Sequence, residues 1–241
     1  MSIFEVISLN KRFGGLWALR DVSFQTAKGE ILGIIGPNGA GKTTLFNLIT
    51  GFIPSTSGQV LYKGTNIVGK RPDEISTLGI TRTFQITQPF MDLNVIDNVM
   101  IGAFLRTNST FQAGTRAEQF IEAVGLSQKK KVRAKYLNII ERKRLEIAKA
   151  ISTEPQILLL DEVMAGLRPH EIQEAIELIM RLRNQGITFL VIEHVMKAIM
   201  SISDRILVLH HGEVISIGTV EEVTHNPQVI EAYLGEDKYL A

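Results

Sequence analysis

Three short apolar runs carry the clearest pattern in the chain. Residues 30–35, 156–161 and 187–193 are of strand length, rich in Ile, Leu and Val, and have no regular polar alternation. Such runs fit parallel strands covered on both faces. Elsewhere the period changes. Residues 1–30 alternate as strands do, with turns at Gly14-Gly15 and Lys28-Gly29, and residues 59–64 look like a further exposed strand. Together these predict a small antiparallel sheet beside the parallel one. Residues 94–104, 116–124 and 139–152 take helical spacing, as do residues 170–185 before a stop at Gly186. Residues 205–209 and 214–217, around His210-His211-Gly212, read as a closing hairpin. The pattern therefore predicts one α/β unit, with a core at residues 1–91 and 153–241 and a helical subdomain inserted at residues 92–152.

Between the first apolar run and a helix-spaced stretch (Leu45-Phe46-Asn47-Leu48-Ile49) lies Gly36-Pro37-Asn38-Gly39-Ala40-Gly41-Lys42-Thr43-Thr44. This is the G-x-x-x-x-G-K-[ST] phosphate loop in its required strand–loop–helix setting. Its glycines let backbone N–H groups surround phosphate oxygens, and the helix N-terminus adds positive partial charge. Lys42 suits the β- and γ-phosphates, and the Thr43 hydroxyl suits Mg²⁺. The loop predicts a P-loop NTPase core. The second apolar run ends in Asp161-Glu162. A carboxylate at a strand end beside the phosphate loop is placed for Mg²⁺, and its neighbour for polarising the attacking water.

Composition narrows the function without naming it. In 241 residues the net charge is +1, so no general nucleic-acid surface is expected, and the basic run at residues 128–133 reads as a solvated segment. There is no cysteine, which excludes disulfides, thiolate metal sites and a Cys nucleophile. No apolar run approaches the ~20 residues of a membrane span, and the N-terminus has no signal-peptide pattern. A soluble cytosolic chain is expected, with any membrane role supplied by partners.

The order of phosphate loop, Gln85, helical region, Asp161-Glu162 and His194 resembles the ATP-binding subunit of an ABC transporter over essentially the whole chain. The stretches Lys11-Arg12-Phe13-Gly14-Gly15, Thr81-Arg82-Thr83-Phe84-Gln85, Arg144-Leu145-Glu146-Ile147-Ala148 and Val229-Ile230-Glu231-Ala232-Tyr233-Leu234-Gly235 resemble one branch, the LivG-like ATPase of branched-chain amino acid importers. The resemblance implies an ATPase that uses ATP and Mg²⁺. It implies catalytic roles for Glu162, His194 and Gln85, with Thr43, Gln85 and Asp161 toward the metal. Phe13 falls where the family stacks an aromatic ring on adenine, with Trp17 as the alternative. Implied partners are a second ATPase subunit, two membrane permeases and, indirectly, a solute-binding protein. The implied location is the inner face of the cell membrane, reached through the permeases.

The chain departs from the family where a Leu-Ser-Gly-Gly-Gln-like signature should open a helix. Here the stretch is Leu137-Asn138-Ile139-Ile140-Glu141. Asn138 and Glu141 predict a capped helix, but two Ile side chains replace glycines and Glu141 brings negative charge toward a polyanion. Val163 stands in place of the family's Pro, and Arg168 in place of its Asp or Asn. The helical region between Gly102 and Gly125 is also shorter than the branch leads one to expect. The altered signature, Val163 and Arg168 predict an asymmetric pair of ATP sites in a homo- or heterodimer, the latter favoured, whereas the short helical region reads as loop variation. The alternative is a slowly hydrolysing or regulatory subunit of the same kind of complex.

Overall fold

The computed structural model describes residues 2–84 and 89–237, with side chains through Tyr233. The long opening strands β1 (Ser2–Phe13) and β2 (Leu16–Ala27) form a hairpin, which β4 (Ser57–Tyr62) and β5 (Thr65–Asn66) extend into an antiparallel sheet of order β2-β1-β4-β5. The second sheet holds the apolar runs. Its central strand β3 (Ile31–Ile35) lies between β8 (Thr188–Ile192) and β9 (Arg205–His210). Outside β8 come β7 (Ile157–Asp161) and β6 (Ile80–Arg82), all parallel. Only β10 (Glu213–Gly218) runs antiparallel, closing the predicted hairpin with β9.

Every residue of β3, β7 and β8 is buried, and the side chains divide by parity. Leu32, Ile34, Leu159, Leu190, Ile192 and Leu207 join the core shared with the antiparallel sheet and helix α1 (Lys42–Ile49). Ile31, Leu158, Leu160, Phe189, Val191 and Ile206 face the other core, which is filled by helices between β6 and β7 and after β7. Burial on both faces is why these segments read as continuous apolar runs.

Between β6 and β7 the chain forms α3 (Val95–Ala103), α4 (Thr110–Ala123) and α5 (Ile139–Ile151). Helix α4 starts at Thr110, six residues before the apolar spacing suggests. Ser109 caps it by accepting from the Gln112 N–H at 3.4 Å, while the exposed Phe111 breaks the amphipathic pattern. Helix α6 (Pro169–Asn184) spans β7 to β8, and α7 (Met196–Ile202) spans β8 to β9. The short α2 (Pro72–Leu78), with α8 (Val220–Thr224) and α9 (Pro227–Asp237) after β10, complete the described fold. The apolar pattern does not mark α2, which buries one residue, Ile75. Among the described residues no helix is long and apolar enough to cross a membrane.

Candidate nucleotide site

The loop at residues 36–44 joins β3 to α1 as its sequence requires, but the glycines serve it in different ways. Gly36 has φ +151° and Gly41 +105°; a Cβ on them would lie 2.0 Å from the Leu209 carbonyl oxygen and 2.7 Å from that of Ala18. Close packing against the chain's own backbone demands glycine at both. Gly39, at φ +80°, has open space where its Cβ would be, on the side of the cavity. Helix α1 opens with no side-chain cap and no acidic residue in its first turn. Its leading N–H groups are thereby left to an incoming anion. The Lys42 ammonium is buried and donates to the Gly36 carbonyl at 2.6 Å and to that of Pro37 at 2.8 Å, which holds the cation at the loop.

A cavity of about 850 Å³ spreads over the loop, lined by Asn38, Gly39, Ala40, Gly41, Lys42, Thr43 and Thr44. On the antiparallel-sheet side Leu16, Trp17, Ala18 and Arg20 line it, and Glu213 of β10 pairs with Arg20 at 3.1 Å. Phe13 is not in this lining; its half-exposed ring lies under the Lys11 ammonium, 4.7 Å from the ring centroid. The hairpin register pairs Phe13 with Leu16 and Arg12 with Trp17; of the two aromatic candidates, Trp17 lines the cavity over the loop and Phe13 does not. The rings of His210 and His211, tilted by 45° with centroids 4.1 Å apart, also line the cavity, a placement their sequence setting did not suggest.

Asp161 ends β7, almost wholly buried. Its Oδ2 accepts from the Arg82 guanidinium at 2.5 Å, and its Oδ1 has no partner among the described residues. Burial raises the Asp161 pKa, against the lowering effect of Arg82. The guanidinium lies between the Phe46 and Phe84 rings, 5.4 and 5.3 Å from their centroids, and donates to Asn47 Oδ1 at 2.5 Å. Arg82 is a site residue that the sequence did not single out. The orphaned Oδ1 is a hard oxygen donor, and Asp161 shares a second cavity of about 700 Å³ with Thr43, which lines the first cavity as well. One carboxylate and one hydroxyl beside a phosphate site fit Mg²⁺, which takes few protein ligands and relies on phosphate and water oxygens. Among the described residues no group of three or more His, Cys, Asp or Glu could form a cage of its own. Gln85, the third expected metal neighbour, lies outside the described residues.

Glu162 follows with φ +52°, a left-handed conformation that is unfavourable for a side-chain-bearing residue. Its N–H donates to the Ile192 carbonyl at 2.9 Å, which fixes the turn between the ends of β7 and β8. The side chain is mostly buried and its Oε1 lies 2.9 Å from His194 Nε2. Both residues line the cavity over the loop. A carboxylate and an imidazole in direct contact, facing a phosphate cradle, can orient a water and hold its proton.

The start of α5 is built differently from that of α1. Asn138 Oδ1 accepts from the Glu141 N–H at 2.9 Å, and Glu141 Oε2 accepts from the Asn138 N–H at 3.0 Å. This is the predicted reciprocal cap. Lys129 pairs with Glu141 at 3.3 Å, and Ile139 stands 71% exposed beside them.

Comparison with known proteins agrees with this geometry. Residues 19–165 match the sequence profile described as "ABC transporter", and residues 213–239 match that of the branched-chain amino acid ATP-binding cassette transporter. The Escherichia coli K12 protein named high-affinity branched-chain amino acid transport ATP-binding protein LivG is 42% identical over 250 residues, covering 97% of this chain and 98% of its own. The corresponding BraF protein of Pseudomonas aeruginosa is 39% identical over the same shares. A crystal structure of a nucleotide-free ATP-binding cassette from an ABC transporter superimposes with TM-score 0.88 at 32% identity, covering 97% of this chain and 99% of that one. The chain belongs to the ABC transporter family, as an ATP-binding and ATP-hydrolysing subunit with the P-loop α/β fold of its cassettes.

Proposed function

We propose that this subunit energises import of branched-chain or related amino acids. The observation carrying the activity is the contact between Glu162 and His194 across from the phosphate loop. The similarity to the LivG and BraF proteins along nearly the whole chain, together with the matched C-terminal segment, supports the solute class. In this reading ATP lies along residues 36–44, with its base toward Trp17 and its γ-phosphate toward Glu162 and His194. Lys42 moves from loop carbonyls to phosphate oxygens, and Glu162 orients the water and takes up its proton. Mg²⁺, when bound, neutralises phosphate charge; Thr43, Asp161 and Gln85 are the residues to hold it. ATP favours the closed dimer because it binds that state better, and this differential affinity drives the permeases.

The permeases dock on the second cavity, where Phe52 and Phe84 meet edge to face at 5.4 Å beside Ile101, all substantially exposed. They hold the subunit on the inner face of the membrane, and a solute-binding protein delivers the amino acid. The closed start of α5 supports a heterodimer. This chain's loop is served by a different ATPase with an open signature, while its own α5 serves the other site poorly. A complex reconstituted with candidate permeases and binding protein in liposomes tests the whole reading. Leucine, isoleucine or valine should stimulate ATP hydrolysis and enter the vesicles. Absence of both responses with all three, while another amino acid produces them, overturns the solute class. Equal single-site turnover at the two nucleotide sites overturns the asymmetry.

A further inference from the structure

We propose that Lys143 and Glu193 are positioning residues that clasp the backbone turn carrying Glu162 and tie it to helix α5. Lys143 lies on α5, one turn beyond the Asn138–Glu141 cap. Its ammonium donates to the Val163 carbonyl at 3.1 Å and to that of Ala165, with a longer contact to the Glu162 carbonyl at 3.5 Å. Glu193 lies at the end of β8, fully buried, and its Oε1 accepts from the Met164 N–H at 2.6 Å. The polar groups of one short turn are thus sorted by sign. Its carbonyls meet a cation and its N–H meets a carboxyl group. An ammonium carries three donors and no acceptor, which suits it to gathering carbonyls.

The turn needs such a hold. Glu162 sits in the left-handed region, and a strained conformation persists only where its surroundings over-determine it. The Glu162 N–H bond to Ile192 fixes one end, and the clasp fixes the residues that follow. Burial lowers the Lys143 pKa and raises that of Glu193, while their mutual attraction opposes both shifts. The two therefore suit one another as a pair. Lys143 is five residues from Asn138, roughly 7.5 Å along the helix axis. A shift of α5 is thereby transmitted to the backbone that aims Glu162 at His194. This last step rests on the proposed head-to-tail dimer, in which the start of α5 faces the nucleotide held by the other subunit.

Lys143→Met keeps length and removes every donor; Lys143→Arg restores donors. With the full chain, Lys143→Met should lower ATPase kcat at least tenfold while ATP Kd, read with a fluorescent ATP analogue, stays within twofold. Lys143→Arg should recover most of the loss. In a Glu162→Gln background Lys143→Met should cost nothing further, because it acts through that side chain. Amide exchange at Met164 and Ala165 should accelerate at least fivefold in Lys143→Met, a readout that requires neither turnover nor a partner. Unchanged exchange and kcat overturn the clasp, as does a parallel loss of Kd, kcat and melting temperature. If Lys143→Met does not fold, Glu193→Leu removes the Met164 acceptor and faces the same criteria. Should exchange respond while kcat effects are identical with and without the partner ATPase, the clasp stands and the dimer link fails.

Discussion

Helices α1 and α5 begin in opposite ways. Helix α1 opens from Gly41 with neither a side-chain cap nor an acid in its first turn, against a buried lysine. Helix α5 opens from Asn138 with its cap satisfied on both sides and Glu141 in its first turn. An N-terminal helix dipole attracts anions only where its N–H groups are unspent and no fixed carboxylate opposes them. The first helix start is arranged to receive phosphate. The second has already filled that place with its own side chains. Under the proposed function, the subunit holds ATP by one helix end and offers little to its partner's ATP through the other.

The sharpest test of the first end is Glu162, the carboxylate proposed to orient the water. Glu162→Gln should reduce ATP hydrolysis by about 10²–10⁴-fold, the range for removing a positioned general base, with ATP binding retained. Single-turnover kinetics beside equilibrium binding separate the two. A variant that loses binding as much as turnover would place Glu162 in nucleotide holding instead. Lys42→Met comes next. Losing a charge-assisted contact worth about 1.5–3 kcal/mol should weaken ATP by roughly 10–100-fold. AMP, which lacks the β- and γ-phosphates, should be weakened far less. Equal losses for both would mean that Lys42 supports the loop, through Gly36 and Pro37, more than it binds phosphate.

Glu193, just past β8, has a pKa that burial raises to about 7, with the Met164 N–H, Lys143 and the His194 N–H pulling it down and Glu162 pushing it up. Folding therefore favours the protonated form. The stability this contributes is fully present below about pH 4.5, the ordinary value, and is lost as pH rises through 7. The loss is on the order of 3 kcal/mol across that window. Denaturant melts should show that decline in the wild type and a flatter profile in Glu193→Gln, which keeps an acceptor for Met164 without titrating. An unchanged slope in the variant would assign the pH dependence to other groups.

What the sequence reveals follows from how local each feature is. Strands β3, β7 and β8 were legible because burial on both faces leaves uninterrupted apolar runs. The phosphate loop and Asp161-Glu162 were legible because their chemistry is contiguous. Arg82 was not, since its partner Asp161 is 79 residues away and only the pairing of β6 with β7 brings them together. The same holds for Glu193 and Met164, 29 residues apart. That Trp17 lines the cavity over the loop while Phe13 does not depends on how the hairpin sits against the loop, which periodicity does not set. The solute class came from resemblance to a family, as no residue in this chain is expected to touch an amino acid.

The smallest effect decides whether the second helix end is merely different or actively closed. Asn138→Ala removes the acceptor for the Glu141 N–H and should cost about 1 kcal/mol, with a melting temperature lower by about 2–4 °C. ATP affinity at the chain's own loop should not change, because α1 is capped by nothing that Asn138 supplies. Glu141→Gln keeps an acceptor for the Asn138 N–H and removes the charge together with its ion pair to Lys129. If the carboxylate is what closes this end, the substitution should raise hydrolysis at the partner's site about fivefold, roughly the 1 kcal/mol of a screened repulsion. If the exposed Ile139 and its neighbour Ile140 close it by bulk, Glu141→Gln should leave that rate unchanged and Ile140→Gly should raise it. Neither substitution raising the rate would show that the two helix ends differ in form without differing in service to ATP.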